Sequence, residues 1–221
     1  MTEAVRHVAL LGDSIFDNAI YVPDGPSVIQ HLQALLAPGG QATLVAHDGD
    51  VVADVAGQLS RVPVEATHLV LSIGGNDALS SIGLLSEPAT SVHDALGFLA
   101  GIRHEFQRGY RSMLWQVLSL RRPLAVCTIY DAVPGLSREL HTALALFNDT
   151  IAREALAARV PIIDLRHLCA EPGDYSAISP IEPSAQGGGK IAKAIADWLE
   201  PHGCSSRVGG AVSALCEPVI Q

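Results

Sequence analysis

HVALLGDS, residues 7–14, runs from a histidine through four apolar residues into glycine, an acid and a serine. A strand with one wet face alternates polar and apolar residues. An unbroken apolar run with polar residues only at its ends is the pattern of a parallel strand covered on both faces. The same pattern returns as ATLVA at 42–46, HLVLSI at 68–73, LAVCTI at 124–129 and VPIID at 160–164. Helical spacing fills the intervals. Residues 27–36 follow a proline and end at PGG, and 92–120 have room for one long helix or two. Residues 137–158 open on Ser137 as a cap with Glu139 behind it, and 187–199 carry Ile191, Ile195 and Leu199 on one stripe. Strand and helix alternate throughout, which predicts an α/β fold: a three-layer αβα, doubly wound parallel sheet of five strands. We expect one domain over residues 1–200 and a loosely attached, Gly- and Ser-rich tail over 201–221.

The totals agree with one core. A chain of 221 residues, 48% of them hydrophobic, is long enough for a single developed interior and too short for two large ones. Fourteen basic residues stand against twenty-three acidic ones, a formal charge of -9. This balance predicts no nucleic-acid partner and no anionic membrane surface. The N-terminus, MTEAVRHVALLGDS, places an acid ahead of a short apolar run, so no secretory signal is expected and the protein is predicted to be cytoplasmic. Cys127, Cys169, Cys204 and Cys216 have no CxxC spacing. They predict structural thiols rather than a metal or redox site, with pairing of Cys204 and Cys216 left open.

In a doubly wound sheet, ligands bind outside the C-terminal ends of the strands. Three polar, glycine-bearing segments fall there: Gly12-Asp13-Ser14, His47-Asp48-Gly49-Asp50 and Gly74-Gly75-Asn76-Asp77. A serine in a tight turn at a strand end presents its hydroxyl above the sheet and its amide to the same pocket. Gly49 offers an unobstructed amide and Asn76 a side-chain amide. With the Ser14 amide they make three donors for an acyl oxygen acquiring negative charge. Loss of one such donor raises a barrier by roughly 3 to 4 kcal/mol. Each segment alone also fits an ordinary loop, and Asn76 a turn cap.

Taken jointly, the three segments resemble the first three sequence blocks of the SGNH, or GDSL-type, esterases and lipases, a similarity that extends over about residues 7 to 199. The resemblance implies a flavodoxin-like sheet of order 2-1-3-4-5, Ser14 as nucleophile, and Gly49 and Asn76 as oxyanion donors. It further implies hydrolysis of small esters or acetylated substrates without a cofactor. The fourth block departs from the pattern. Where that family has Asp-x-x-His-Pro before the last helix, alignment on Pro183 and Gly187 puts Ser179 at the aspartate and Glu182 at the histidine.

A free glutamate, with a pKa near 4.3, is a poor base for a hydroxyl, but burial or closeness to Asp13 raises it. Glu182 could then act as base, or hold Ser14 in a fixed hydrogen bond without turnover. Two displaced histidines are alternatives: His47 at the end of the second strand and His167 after the fifth. His202 would need the tail to fold back. GGGK at 187–190 lacks a phosphate loop's full spacing and reads better as a helix start. Asp131 and Asp164, at strand ends, could approach a ligand or simply cap turns, and Asp13, Asp48, Asp50 and Asp77 could gather near a pocket mouth and suggest Mg²⁺, though no ligand spacing fixes a metal. The sequence therefore points to a serine esterase with Ser14, Glu182 and Asp13 at its centre, a non-standard base and a small-molecule ester substrate. The alternatives are a catalytically impaired binding protein on the same fold and a metal-dependent phosphoryl-handling enzyme. Oligomeric state is unassigned.

Overall fold

Val8, Ala9, Leu10 and Leu11 are fully buried, because their strand, β1 (His7–Gly12), lies between two others. The computed structural model describes residues 6–200. Its sheet runs β2 (Gln41–Leu44), β1, β3 (His68–Ser72), β4 (Leu124–Cys127) and β5 (Ile162–Ile163), with every pairing parallel. This is the predicted order 2-1-3-4-5 and the flavodoxin-like arrangement.

Four strands end before their apolar runs do, and at β2 and β5 the cause is visible. Val45 and Ala46 leave the ladder of β2, and both donate their amides to the Leu10 carbonyl, at 2.8 and 2.9 Å. At β5, Pro161 has no amide to give, although its carbonyl accepts from Val126 at 3.0 Å, and Asp164 already caps the next helix.

The helices are α1 (Val28–Leu35), α2 (Val55–Leu59), α3 (Gly75–Ser80), α4 (Val92–Leu118), α5 (Arg138–Ala157), α6 (Leu165–Leu168) and α7 (Ala185–Leu199). Side chains of a strand alternate between faces, so the sheet divides its apolar residues between two cores. Leu11, Leu71 and Val126 face Tyr110, Leu114 and Ile151 of α4 and α5. Leu10, Val70 and Ala125 face Leu32, Ile191 and Ile195 of α1 and α7. Each fully buried Leu or Ile contributes on the order of 2 kcal/mol through lost water contact. Residues 92–118 form one helix, not two.

The GGGK segment lies inside α7, which starts at Ala185 with the Ser184 hydroxyl accepting from the Gly187 amide. A Cβ on Gly187 would stand 2.2 Å from the Asp174 carbonyl oxygen. The glycine lets the helix approach the 172–174 turn, so the segment serves packing. The proposed tail, His202, Cys204 and Cys216 lie outside the described residues. Cys127 and Cys169 are buried free thiols.

Candidate active site

Gly12 ends β1 at φ +126°, a conformation L side chains rarely adopt, and a Cβ there would lie 1.7 Å from the Ser72 carbonyl oxygen. Only glycine lets the chain turn that closely against the end of β3. The turn is then fixed by its own backbone. The Asp13 amide donates to Ser72 O at 3.1 Å, and the Phe16 and Asp17 amides donate to Asp13 O at 3.1 and 3.2 Å. Ile15 N donates to Asp13 Oδ1 at 3.1 Å. Of the amides from Asp13 to Asp17, that of Ser14 alone has no partner among the described residues.

Ser14, itself buried, donates its hydroxyl to Glu182 Oε1 at 3.0 Å. Glu182 is 5% exposed, and its second oxygen, Oε2, is buried without a partner. The loop carrying it is pinned from several sides. Ser176 N donates to Glu182 O at 2.8 Å, and Glu182 N donates to Ser179 O at 3.0 Å. The Tyr130 hydroxyl donates to Ile181 O at 2.6 Å. Fully buried Asn18 donates to Pro183 O at 3.1 Å while its Oδ1 accepts from Val28 N at 3.0 Å. Ser179, at the position aligned with the family aspartate, thus contributes its carbonyl to the turn.

Burial sets the electrostatics. It pushes the Glu182 carboxyl up to about 7, against the opposing Ser14 hydrogen bond and with a smaller push from Asp48. Asp13 rises to about 8, again chiefly by burial; the Ile15 amide opposes the rise and Glu182 adds to it. Two carboxyls that each resist ionisation therefore share one end of the pocket.

The structure gathers Asp13, Ser14, Asn76 and Glu182 around one cavity. Asn76 Nδ2 donates to Asp50 O at 2.9 Å, and Gly49 stands in the exposed turn between β2 and α2. His47 and His167 are not in that lining. The His47 side chain is 65% exposed, 3.5 Å from Asp50, and that of His167 is 76% exposed, 3.8 Å from Asp164. The acids suggested for Mg²⁺ bond separately: Asp48 accepts from Tyr21 OH, Asp50 from Gln58 and Asp77 from Val52 N. Among the described residues, no group of three or more His, Cys, Asp or Glu side chains is arranged to hold a metal. Asp164 accepts from Thr128 and from Arg166 and caps α6. Asp131 lies 3.4 Å from His141.

Nothing in the sequence pattern marks Asn18, Tyr130 or Ser176, the residues that hold the Glu182 loop. Asn18 stands four positions after Ser14, and that proximity was the only available signal. The cavity also escaped sequence reading. It extends from Ser14 and Glu182 between α3, α4 and α5, with about 120 Å³ of space, and its walls include Leu79, Ile82, Leu99, Ile102, Leu144 and Phe147.

The GDSL-like lipase/acylhydrolase family matches residues 10–188. Among curated protein sequences, none matches the chain. A lipase from a goat rumen metagenome has a TM-score of 0.67 at 17% identity, covering 86% of this chain and 96% of its own. An acetylxylan esterase of Geobacillus stearothermophilus, solved as a catalytic mutant, scores 0.68 at 14% identity, covering 94% and 100%. An extracellular lipase of Streptomyces rimosus scores 0.63 at 20% identity, covering 88% and 99%. That last protein corrects the cytoplasmic placement drawn from the N-terminus: the same fold works outside the cell, so the short apolar run and acidic flank give no cellular address. Among the described residues, no helix is long and apolar enough to cross a membrane. With the three blocks in place at the strand ends and the match spanning most of the sheet and its helices, the chain belongs to the GDSL-like lipase/acylhydrolase family and is a carboxylic ester hydrolase.

Proposed function

We propose that Ser14 is the nucleophile and that Glu182 is its general base in place of histidine. The observation that carries this reading is the buried hydrogen bond of 3.0 Å from Ser14 Oγ to Glu182 Oε1. An acceptor within hydrogen-bond reach of the proton is the first requirement of a base. The second is an affinity for that proton near working pH, which burial supplies by lifting Glu182 to about 7.

In this mechanism Ser14 Oγ bonds to the ester carbonyl carbon as its proton passes to Glu182. The carbonyl oxygen becomes an oxyanion, which accepts from the Ser14 and Gly49 amides and from Asn76. The tetrahedral intermediate collapses, the bond to the leaving oxygen breaks, and protonated Glu182 returns its proton to that oxygen. Water then attacks the acyl-Ser14 ester, gives a proton to Glu182, and is expelled with the acyl group as the free acid while Ser14 regains its hydrogen. Asp13, its carboxyl held up by burial, keeps the Ser14 turn in place through the bond its Oδ1 accepts from the Ile15 amide.

The test is hydrolysis of p-nitrophenyl acetate from about pH 4 to 9 by the parent, Ser14→Ala, Glu182→Gln and His47→Ala proteins. Background hydrolysis climbs with pH, so Ser14→Ala is the baseline. The expected result is a parent rate above that baseline, with Glu182→Gln reduced to it and His47→Ala unaffected. A loss confined to His47→Ala moves the base to the histidine. A parent rate equal to Ser14→Ala throughout leaves the pocket as a binding site.

A further inference from the structure

The cavity beside Ser14 has a chemistry of its own. Most of its polar groups, Asp13, Ser14, Ser72, Asn76 and Glu182 among them, gather where the strands end, while Ser81, beside Ile82, spends its hydroxyl on the Asp77 carbonyl at 3.0 Å. Away from them the lining turns apolar, with Ile82 on one side, Leu99 and Ile102 of α4 opposite, and Leu140, Leu144 and Phe147 of α5 closing it. A site built only for an acetyl group has no use for such depth, since two carbons would leave most of this wall facing water or nothing.

We propose that the enzyme takes an unbranched acyl chain of about six to eight carbons, its carbonyl at Ser14 and its tail between α3, α4 and α5. This assignment deepens the esterase reading and rests on it. Size supports the length. An engineered cavity of about 150 Å³ lined by Leu, Ile and Phe takes up benzene, a six-carbon body. The cavity here holds about 120 Å³. Its lip is also apolar and open. Leu79, Ile82 and Leu85 line it and remain 40%, 40% and 41% exposed, which leaves an entry for a chain and a surface along which its end can extend.

Two measurements test the assignment separately from the esterase reading. The first compares kcat/KM for p-nitrophenyl acetate, butyrate, hexanoate and octanoate, in the parent and in Ala143→Phe, which places a ring into the cavity from α5. Each methylene that leaves water is worth about a threefold to fourfold gain, so the parent is expected to favour hexanoate over acetate by on the order of a hundredfold. That ratio is expected to fall at least tenfold in Ala143→Phe. The second is calorimetric binding of 1-octanol to the Ser14→Ala protein, which needs no turnover. Binding is expected there and is expected to be lost in Ser14→Ala/Ala143→Phe. A flat chain-length profile together with no octanol binding overturns the acyl pocket while leaving acetate hydrolysis, and hence the esterase reading, intact. Octanol binding that Ala143→Phe abolishes, with no ester turned over faster than by Ser14→Ala, supports the pocket and sinks the esterase reading instead. A circular dichroism melt of Ala143→Phe separates filling from unfolding, and Ile102→Trp repeats the test from α4.

Discussion

Glu182→Gln should make the protein more stable, and more so as the pH rises. Burial lifts the Glu182 carboxyl from 4.5 to about 7. Below pH 4.5 it is protonated in both the folded and the unfolded chain, so its burial carries no ionic penalty. Between 4.5 and about 7 the unfolded chain ionises first and draws the equilibrium toward itself. Above about 7 the folded chain holds the full penalty, about 3 kcal/mol. The carboxamide of Gln never ionises and escapes it. Gln also brings two N–H groups to the place where Oε2 has no partner, an unfavourable change, but one that does not vary with pH. The comparison between two pH values cancels it. The variant is therefore expected to gain about 2 to 3 kcal/mol on the parent between pH 5 and pH 8. For a chain of this size that is a widening of roughly 4 to 12 °C in the difference between melting midpoints. Removing the Glu182 charge also relieves Asp13, which pushes in the same direction. Paired thermal melts at the two pH values read the effect. A difference that stays constant, or that shrinks as pH rises, would refute a buried, reluctant carboxylate at Glu182.

Three further outcomes follow from the same contacts. Because a base must be unprotonated, kcat/KM of the parent is expected to fall as pH drops through about 7, the value burial gives Glu182, as a pH–rate profile on p-nitrophenyl acetate will show. Asn18→Ala leaves the Val28 amide and the Pro183 carbonyl unpartnered in the interior; a loss of about 2 to 4 kcal/mol in urea unfolding is expected, with kcat lowered as the Glu182 loop loosens. Gly187→Ala forces a Cβ to 2.2 Å from Asp174 O and should destabilise by about 1 to 3 kcal/mol, whereas Gly97→Ala, where a Cβ meets nothing within 4 Å in α4, should stabilise by about 0.5 to 1 kcal/mol in the same urea titrations.

The strands were legible because burial on both faces leaves a mark: five apolar runs gave five strands, in the order 2-1-3-4-5 that the family resemblance, not the runs, implied. Their ends were not legible. Where β2 stops is decided by Val45 and Ala46 both turning to the single Leu10 carbonyl, a fact of the partner strand rather than of the run itself. The helix α3 was missed because its six residues, Gly75–Ser80, include the glycine and polar residues that read as a loop. At the site, Gly12 to Ser14 could be placed from the strand that precedes them. The burial of Glu182 could not, since it depends on a hydroxyl from Tyr130 and an amide from Asn18, far away in the chain. His47 shows the converse: its position at a strand end was readable, but its side chain turns outward to Asp50.

The joint absence of the family's aspartate and histidine is coherent once the charges are followed. A neutral histidine that takes the serine proton becomes a cation, and needs an acid behind it to hold its ring and balance its charge. Glutamate begins as an anion and becomes neutral, so an acid behind it would only oppose its ionisation. With Glu182 as the proposed base, Ser179 can be a serine, and the orienting task would pass to the uncharged groups that hold the 181–183 backbone, the Tyr130 hydroxyl, the Asn18 amide and the Ser176 amide. If that account holds, Glu182→His alone should be worse than the parent, because the imidazolium would form without a partner. Glu182→His/Ser179→Asp should recover activity over the single variant, by on the order of a hundredfold or more if the pair forms a working triad. Equal kcat for the single and double variants on p-nitrophenyl acetate would show that position 179 cannot serve the base, and that the loop geometry built around Glu182 excludes the histidine solution altogether.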